Sequence, residues 1–271
     1  MAVLAGGLAA PALAQTPALQ NAESAQNAQN AQNAIDQRDH WRRSRVGVYM
    51  NDFGERGRYR KANAALKPPA PGEARVVFLG DSITDLWGLQ ADFPGKPYLN
   101  RGISGQTTAQ MLVRFRQDVL ELKPTVVVIL AGTNDIAGNS GPMTDDDIQG
   151  NLATMTELAR AHGIAVVLAS IVPVHNYTPQ SQLAFALRPP QRIAAINRWL
   201  KAAAAAGGHV YLDYFTAMVD DKGLLRRELA EDGLHPNAAG YAIMSKLAAA
   251  AIAKAQSAPR APARSTPPTG R

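Results

Sequence analysis

An uninterrupted apolar run, Val126-Val127-Val128-Ile129-Leu130, constrains this chain more than any other feature. It shows no alternation of polar and apolar positions, so it has no face to offer water and reads as a strand covered on both sides. Val76-Val77-Phe78-Leu79 repeats the pattern, and Tyr98-Leu99-Asn100, Ile164–Leu168 and Val210-Tyr211-Leu212 are shorter candidates. Helical patterns separate them: Thr107–Leu122, where Met111, Phe115, Val119 and Leu122 share one face, then Asp145–His162, Pro189–Ala206 and Asn237–Ala255. Strands alternating with helices of this length predict a single three-layer α/β/α domain over residues 74–255. Its sheet is expected to be five-stranded, mostly parallel and doubly wound.

The flanks differ in composition. Residues 1–14 form a small, apolar run ending in the Ala12-Leu13-Ala14-Gln15 pattern of a signal-peptide cleavage site, without a basic start, which predicts a secreted or periplasmic protein. Residues 15–34 degenerate into Ala-Gln-Asn triplets and read as a low-complexity, flexible linker. Residues 35–73 regain apolar side chains (Trp41, Val48, Tyr49, Phe53) among many charges and read as an amino-terminal arm, ended by Pro68-Pro69-Ala70-Pro71-Gly72. Residues 256–271 form an Ala/Pro/Arg tail expected to be disordered.

The formal charge of +6 is concentrated in arm and tail. No nucleic-acid-binding module accompanies it, so a solvated surface is expected and no nucleic-acid partner. No run of about 18 apolar residues predicts stable membrane insertion, and the oligomeric state is left open. The absence of cysteine excludes disulfides, thiolate metal sites and cysteine nucleophiles.

Four clusters fall at strand ends or before the last helix: Gly80-Asp81-Ser82, Asn100-Arg101-Gly102, Gly132-Thr133-Asn134-Asp135 and Asp232-Gly233-Leu234-His235-Pro236. The carboxyl edge of such a sheet is where ligands bind. Each cluster alone is also ordinary turn or capping chemistry. Together they hold a hydroxyl, oxyanion donors, a carboxylate and an imidazole, the inventory for acyl transfer through a covalent serine intermediate.

In this order and spacing the clusters resemble the signature blocks of the SGNH hydrolases, the GDSL esterase/lipase family, over Arg75 to about Ala255. The resemblance implies the flavodoxin-like SGNH fold, Ser82 as nucleophile, His235 as general base and Asp232 as its orienting acid. It implies an oxyanion hole made by the Ser82 and Gly102 backbone N–H groups and the Asn134 amide. The openings Gly-Asp-Ser-Ile-Thr-Asp-Leu-Trp and Asn-Arg-Gly-Ile-Ser-Gly-Gln-Thr-Thr are most similar to the platelet-activating-factor-acetylhydrolase-like and carbohydrate-esterase branches. The expectation is therefore hydrolysis of short-chain, acetyl-type carboxylic esters, including those on carbohydrates. A small-molecule or glycan ester is the expected partner.

Other readings stay open: a lysophospholipase or thioesterase, an acyltransferase to a sugar hydroxyl, or a non-catalytic glycan-binding protein. Trp87 and, in the long 172–187 loop, His175 and Tyr177 are candidate substrate contacts. Asp81 and Asp135 are expected to hold their turns. No metal-ligand spacing appears, and the serine chemistry calls for no metal or other cofactor.

Overall fold

The structure, a computed structural model, describes residues 17–258; the signal-like segment 1–14 and the tail from residue 259 lie outside the described residues. In chain order the elements are α1 (Pro17–Asp52), α2 (Gly57–Ala65), β1 (Val76–Gly80), α3 (Ser82–Asp85), α4 (Leu89–Asp92), β2 (Tyr98–Gly102), α5 (Thr108–Asp118) and β3 (Val126–Leu130). There follow α6 (Thr133–Ile136), α7 (Asp145–Ala161), β4 (Ala165–Ala169), α8 (Gln182–Ala186), α9 (Pro190–Gly207), β5 (Val210–Leu212), α10 (Tyr214–Met218) and α11 (Ala238–Ser257). The single sheet has the order β2-β1-β3-β4-β5, and every pairing is parallel.

Both faces of the sheet are apolar, as the unbroken runs require. Phe78, Val126, Val128 and Val167 pack with Met244, Ala248 and Ile252 of α11 on one side. Their sequence neighbours Val77, Val127, Ile129 and Val166 pack on the other with Met111 and Phe115 of α5, Leu152 and Met155 of α7 and Ile196 of α9. The side chains alternate between the layers with the strand period of two. Strand order reverses at β1 and β3, which opens a crevice beyond their carboxyl ends. Ser82 follows β1 directly, and Asn134 lies in α6 just past β3.

Residues 17–34 are not a flexible linker: they are the first half of α1, which runs unbroken to Asp52. Ala and Gln are good helix formers, and the triplets place each Gln four residues before an amide or carboxylate acceptor. Gln26 thus donates to Asn30 at 3.0 Å, Gln29 to Asn33 at 2.9 Å and Gln32 to Asp36 at 2.9 Å. The helix docks on the domain, where Ala34 is fully buried. The arm's charges are partly spent in ion pairs such as Arg45–Glu55 at 2.6 Å. At the other end α11 continues to Ser257, past the expected boundary at 255. Among the described residues no helix is long and apolar enough to cross a membrane.

Candidate active site

β1 delivers Ser82 into the first turn of α3, where Asp81 caps the helix by accepting from the Ile83 N–H at 3.0 Å. From the far end of the chain comes a loop folded by its own carboxylate: Asp232 Oδ1 accepts from the backbone N–H groups of Leu234 at 3.0 Å and His235 at 2.8 Å. Its other oxygen, Oδ2, lies 2.6 Å from His235 Nδ1, and His235 Nε2 lies 2.8 Å from Ser82 Oγ. A Ser82–His235–Asp232 relay of hydrogen bonds is therefore present. Burial raises the Asp232 pKa, but the hydrogen bonds from the His235 ring and the two backbone N–H groups outweigh it and hold the carboxyl far below the usual range. The imidazole thus faces a permanent anion.

A cavity of about 530 Å³ opens over this pair, with Ser82, Gly105, Asn134, Arg188 and His235 among its walls. Asn134 is held by three partners. Its Oδ1 accepts from Asn139 Nδ2 at 3.0 Å and Arg188 Nη2 at 3.1 Å, and its Nδ2 donates one hydrogen to the Gln106 carbonyl at 3.1 Å. The second amide hydrogen remains for the cavity. Asp135, beside it, departs from the expectation that it holds its own turn: its carboxylate instead accepts from the Thr108 N–H at 2.9 Å and ties α6 to the start of α5. Burial raises the carboxyls of both Asp81 and Asp135 to about 6.

Gly102 departs from its expected role. Its N–H donates to Asn100 Oδ1 at 2.8 Å, and a Cβ there would fall on the Asp85 backbone, so this glycine serves the packing of α3 on β2. Gly105 lines the cavity instead, and its N–H has no acceptor among the described residues. Its φ of +81° lies in the region glycine alone enters at little cost, and a Cβ would stand 2.6 Å from the Trp41 indole. The sequence signal was present: Gly105 sits in the quoted Gly-Ile-Ser-Gly-Gln stretch, but no spacing rule ranks it above Gly102.

The three candidate substrate contacts are also placed elsewhere. Trp87 is buried in an aromatic cluster, its ring 5.5 Å from Phe78 and 5.4 Å from Tyr241, with Nε1 donating to Asp92 at 2.7 Å. An indole this large, with one polar atom satisfied internally, stabilises the core. His175 is fully buried. Its Nδ1 accepts from the Tyr177 N–H at 3.2 Å, which leaves Nε2 to donate to the Ala230 carbonyl at 2.8 Å. Its own backbone N–H bonds to the Gly233 carbonyl at 3.1 Å. His175 thus braces the loop that carries Asp232 and His235 from behind. Tyr177 donates its hydroxyl to Asp220 and faces a neighbouring depression beside Asn30 and Asn33 of α1.

In their stead the cavity is walled by residues from segments that carried no motif. α1 contributes Ala34, Gln37, Arg38 and Trp41, and α8 with the following turn contributes Leu183, Leu187 and Arg188. Burial lowers the Arg188 pKa to about 10, against the attraction of Asp81 and Asp232. No periodicity marked Arg188 for burial, since it lies between a short helix and two prolines.

The sequence pattern of the GDSL-like lipase/acylhydrolase family matches residues 78–243, which include every residue of the relay. The chain belongs to this family. As a GDSL acylhydrolase it is a carboxylic ester hydrolase, and its sheet with flanking helices is the SGNH hydrolase fold. The structure of a GDSL-like lipase from Bacteroides thetaiotaomicron superimposes with a TM-score of 0.69 at 41% identity, covering 75% of this chain and 99% of that one. Esterase TesA of Pseudomonas aeruginosa is 34% identical over 176 residues, 59% of this chain and 79% of TesA. Human platelet-activating factor acetylhydrolase IB subunit alpha2 is 29% identical over 182 residues, 64% of this chain and 74% of that protein. A shorter match, 38% identical over 79 residues, covers 28% of this chain and spans 32% of the lipoprotein YqeF of Bacillus subtilis. Helix α1, which supplies one wall of the cavity, lies outside the matched region.

Proposed function

We propose that this acylhydrolase cleaves short-chain carboxylic esters, acetyl esters above all, through an acyl-enzyme on Ser82. The observation that carries the reading is the 2.8 Å contact between Ser82 Oγ and His235 Nε2, continued by the 2.6 Å contact to Asp232. A serine hydroxyl is a weak nucleophile, so an imidazole must take its proton as it attacks the carbonyl. Asp232 fixes the tautomer with the proton on Nδ1 and stabilises the imidazolium that forms. The same imidazolium protonates the departing alcohol, and a water activated by His235 then releases the acid. The developing oxyanion is met by the backbone N–H groups of Ser82 and Gly105 and the second amide hydrogen of Asn134.

The acetyl preference is supported by the likeness to the platelet-activating factor acetylhydrolase subunit. A polyhydroxylated alcohol moiety is favoured by the cavity wall of Gln37, Arg38, Ser104 and Asn139, which offers donors and acceptors beside Trp41. A second reading, a lysophospholipid substrate, is favoured by Leu86, which lines the same cavity while 61% exposed. Rates on acetyl, butyryl and octanoyl aryl esters, acetylated xylan and a lysophospholipid decide between them. A preference for octanoyl and lysophospholipid replaces the acetyl reading, and product analysis with acceptor sugars detects transfer in place of hydrolysis. Failure of a fluorophosphonate to label Ser82, with saturable sugar binding, leaves a glycan-binding protein. Export is part of the proposal, on the Ala12-Leu13-Ala14-Gln15 pattern and the lipoprotein relative; a mature protein beginning at Gln15 is its expected sign.

A further inference from the structure

Arg188 is a charged side chain for which the scheme above has no task. It is only 6% exposed, yet it lines the cavity over Ser82. Its Nε donates to Thr133 Oγ1 at 2.9 Å, one terminal nitrogen to the Ala184 carbonyl at 3.2 Å and the other to Asn134 Oδ1 at 3.1 Å. All three acceptors are uncharged oxygens. A buried guanidinium without a direct counter-ion is costly to hold, and two of its acceptors belong to the turn that carries the proposed oxyanion donor.

The consequence falls on Asn134. Two donors, Arg188 and Asn139, converge on its Oδ1, and an acceptor, the Gln106 carbonyl, faces its Nδ2. A flipped amide would set its NH₂ against two donors and its oxygen against a carbonyl, so only one orientation is satisfied. A charge-assisted bond to an amide oxygen also draws electron density from the nitrogen and strengthens its remaining N–H as a donor. We propose that Arg188 is a positioning residue: it locks the Asn134 amide and lends its charge, through that amide, to the oxyanion. The proposal rests on the serine-esterase reading of the site.

A double-mutant cycle on the full chain tests it, with hydrolysis of p-nitrophenyl acetate followed at saturating and limiting substrate. Asn134→Ala is expected to lower kcat about 100-fold or more. Arg188→Met is expected to lower kcat about 10- to 100-fold with KM within about threefold, because the effect arises only as charge develops. The double variant should fall no more than about threefold below Asn134→Ala, since the two act as one unit. Affinity for phenylboronic acid, whose tetrahedral adduct carries the same negative charge, should weaken in step with kcat. Multiplicative losses in the double variant, or a change in KM alone, would overturn the proposal. Should Arg188→Met not fold, Arg188→Lys keeps the cation without the planar fork and enters the same cycle. A parent whose Ser82 resists fluorophosphonate removes the esterase reading and this proposal together; a labelled parent with multiplicative losses removes only this one.

Discussion

Ser82 Oγ and His235 Nε2 stand 2.8 Å apart although 153 positions separate them in the chain. The contact exists because β1 ends at the crevice and the loop before α11 returns to it, so removing either partner should stop the reaction without disturbing the sheet. Ser82→Ala and His235→Ala are each expected to lower kcat on p-nitrophenyl acetate by at least about 10⁴-fold with the thermal midpoint within a few degrees. Asp232→Asn, which keeps the shape and loses the anion, should cost about 10² to 10⁴-fold.

Gly102 and Gly105 should separate by the property they damage. Gly102→Ala drives a Cβ into the Asp85 backbone, which cannot yield as a side chain can, and is expected to cost stability first, seen as a fall of more than about 10 °C in Tm. Gly105→Ala meets a movable indole and a strained φ, so a smaller loss of stability, of about 1–2 kcal/mol, should accompany a clear loss of kcat. The reverse pattern would return the donor role to Gly102.

Arg114 and Asp118 form an ion pair with both side chains fully buried, 3.1 Å apart. Arg114 also donates to the carbonyls of Gly80 at 3.1 Å and Arg101 at 2.8 Å, tying the ends of β1 and β2 beneath the site. Arg114→Met strands the Asp118 charge and is expected to cost about 3–5 kcal/mol of unfolding free energy in urea. A loss under 1 kcal/mol would mean that water reaches the pair.

Asp81 is fully buried, and burial raises its carboxyl from 3.8 to about 6. Between those values the folded chain binds a proton that the unfolded chain has released, so this group's contribution to stability falls as pH rises from about 4 to about 6. Asp81→Asn keeps the Oδ1 cap to Ile83 and removes the titration. Relative to the parent it should gain stability as pH is raised from 4 to 7, by up to about 3 kcal/mol. Denaturant melts at the two pH values measure this, and a pH-independent difference would show that the carboxyl stays ionised in the fold.

Trp41 reaches the site from α1, and its indole packs against Gly105. Trp41→Ala removes a wall of the cavity and is expected to raise KM for aryl acetates about three- to thirtyfold, with a smaller change in kcat. Unaltered steady-state constants would place α1 outside the working site.

By itself the sequence determined the layers and the chemistry. Runs such as Val126–Leu130 have no polar side to show to water, so they must lie in a doubly covered parallel sheet. The residues that meet at its carboxyl edge, Ser82, Asn134 and the Asp232–His235 pair, stood in blocks short enough to read locally. Tertiary structure decided which groups face the cavity. The Gly102 N–H is taken by Asn100, Trp87 is drawn into an aromatic core, His175 braces a loop, and Arg188 and Trp41 enter from elements with no motif. Periodicity records how much water a segment meets, averaged along its length. Which donor stays unpaired, and which side chain closes a pocket, depends on competition among atoms far apart in the chain. The Ala-Gln-Asn stretch shows the same division: its side chains are too small to form a core, yet they bridge successive turns, and the domain surface beside Ala34 holds the finished helix.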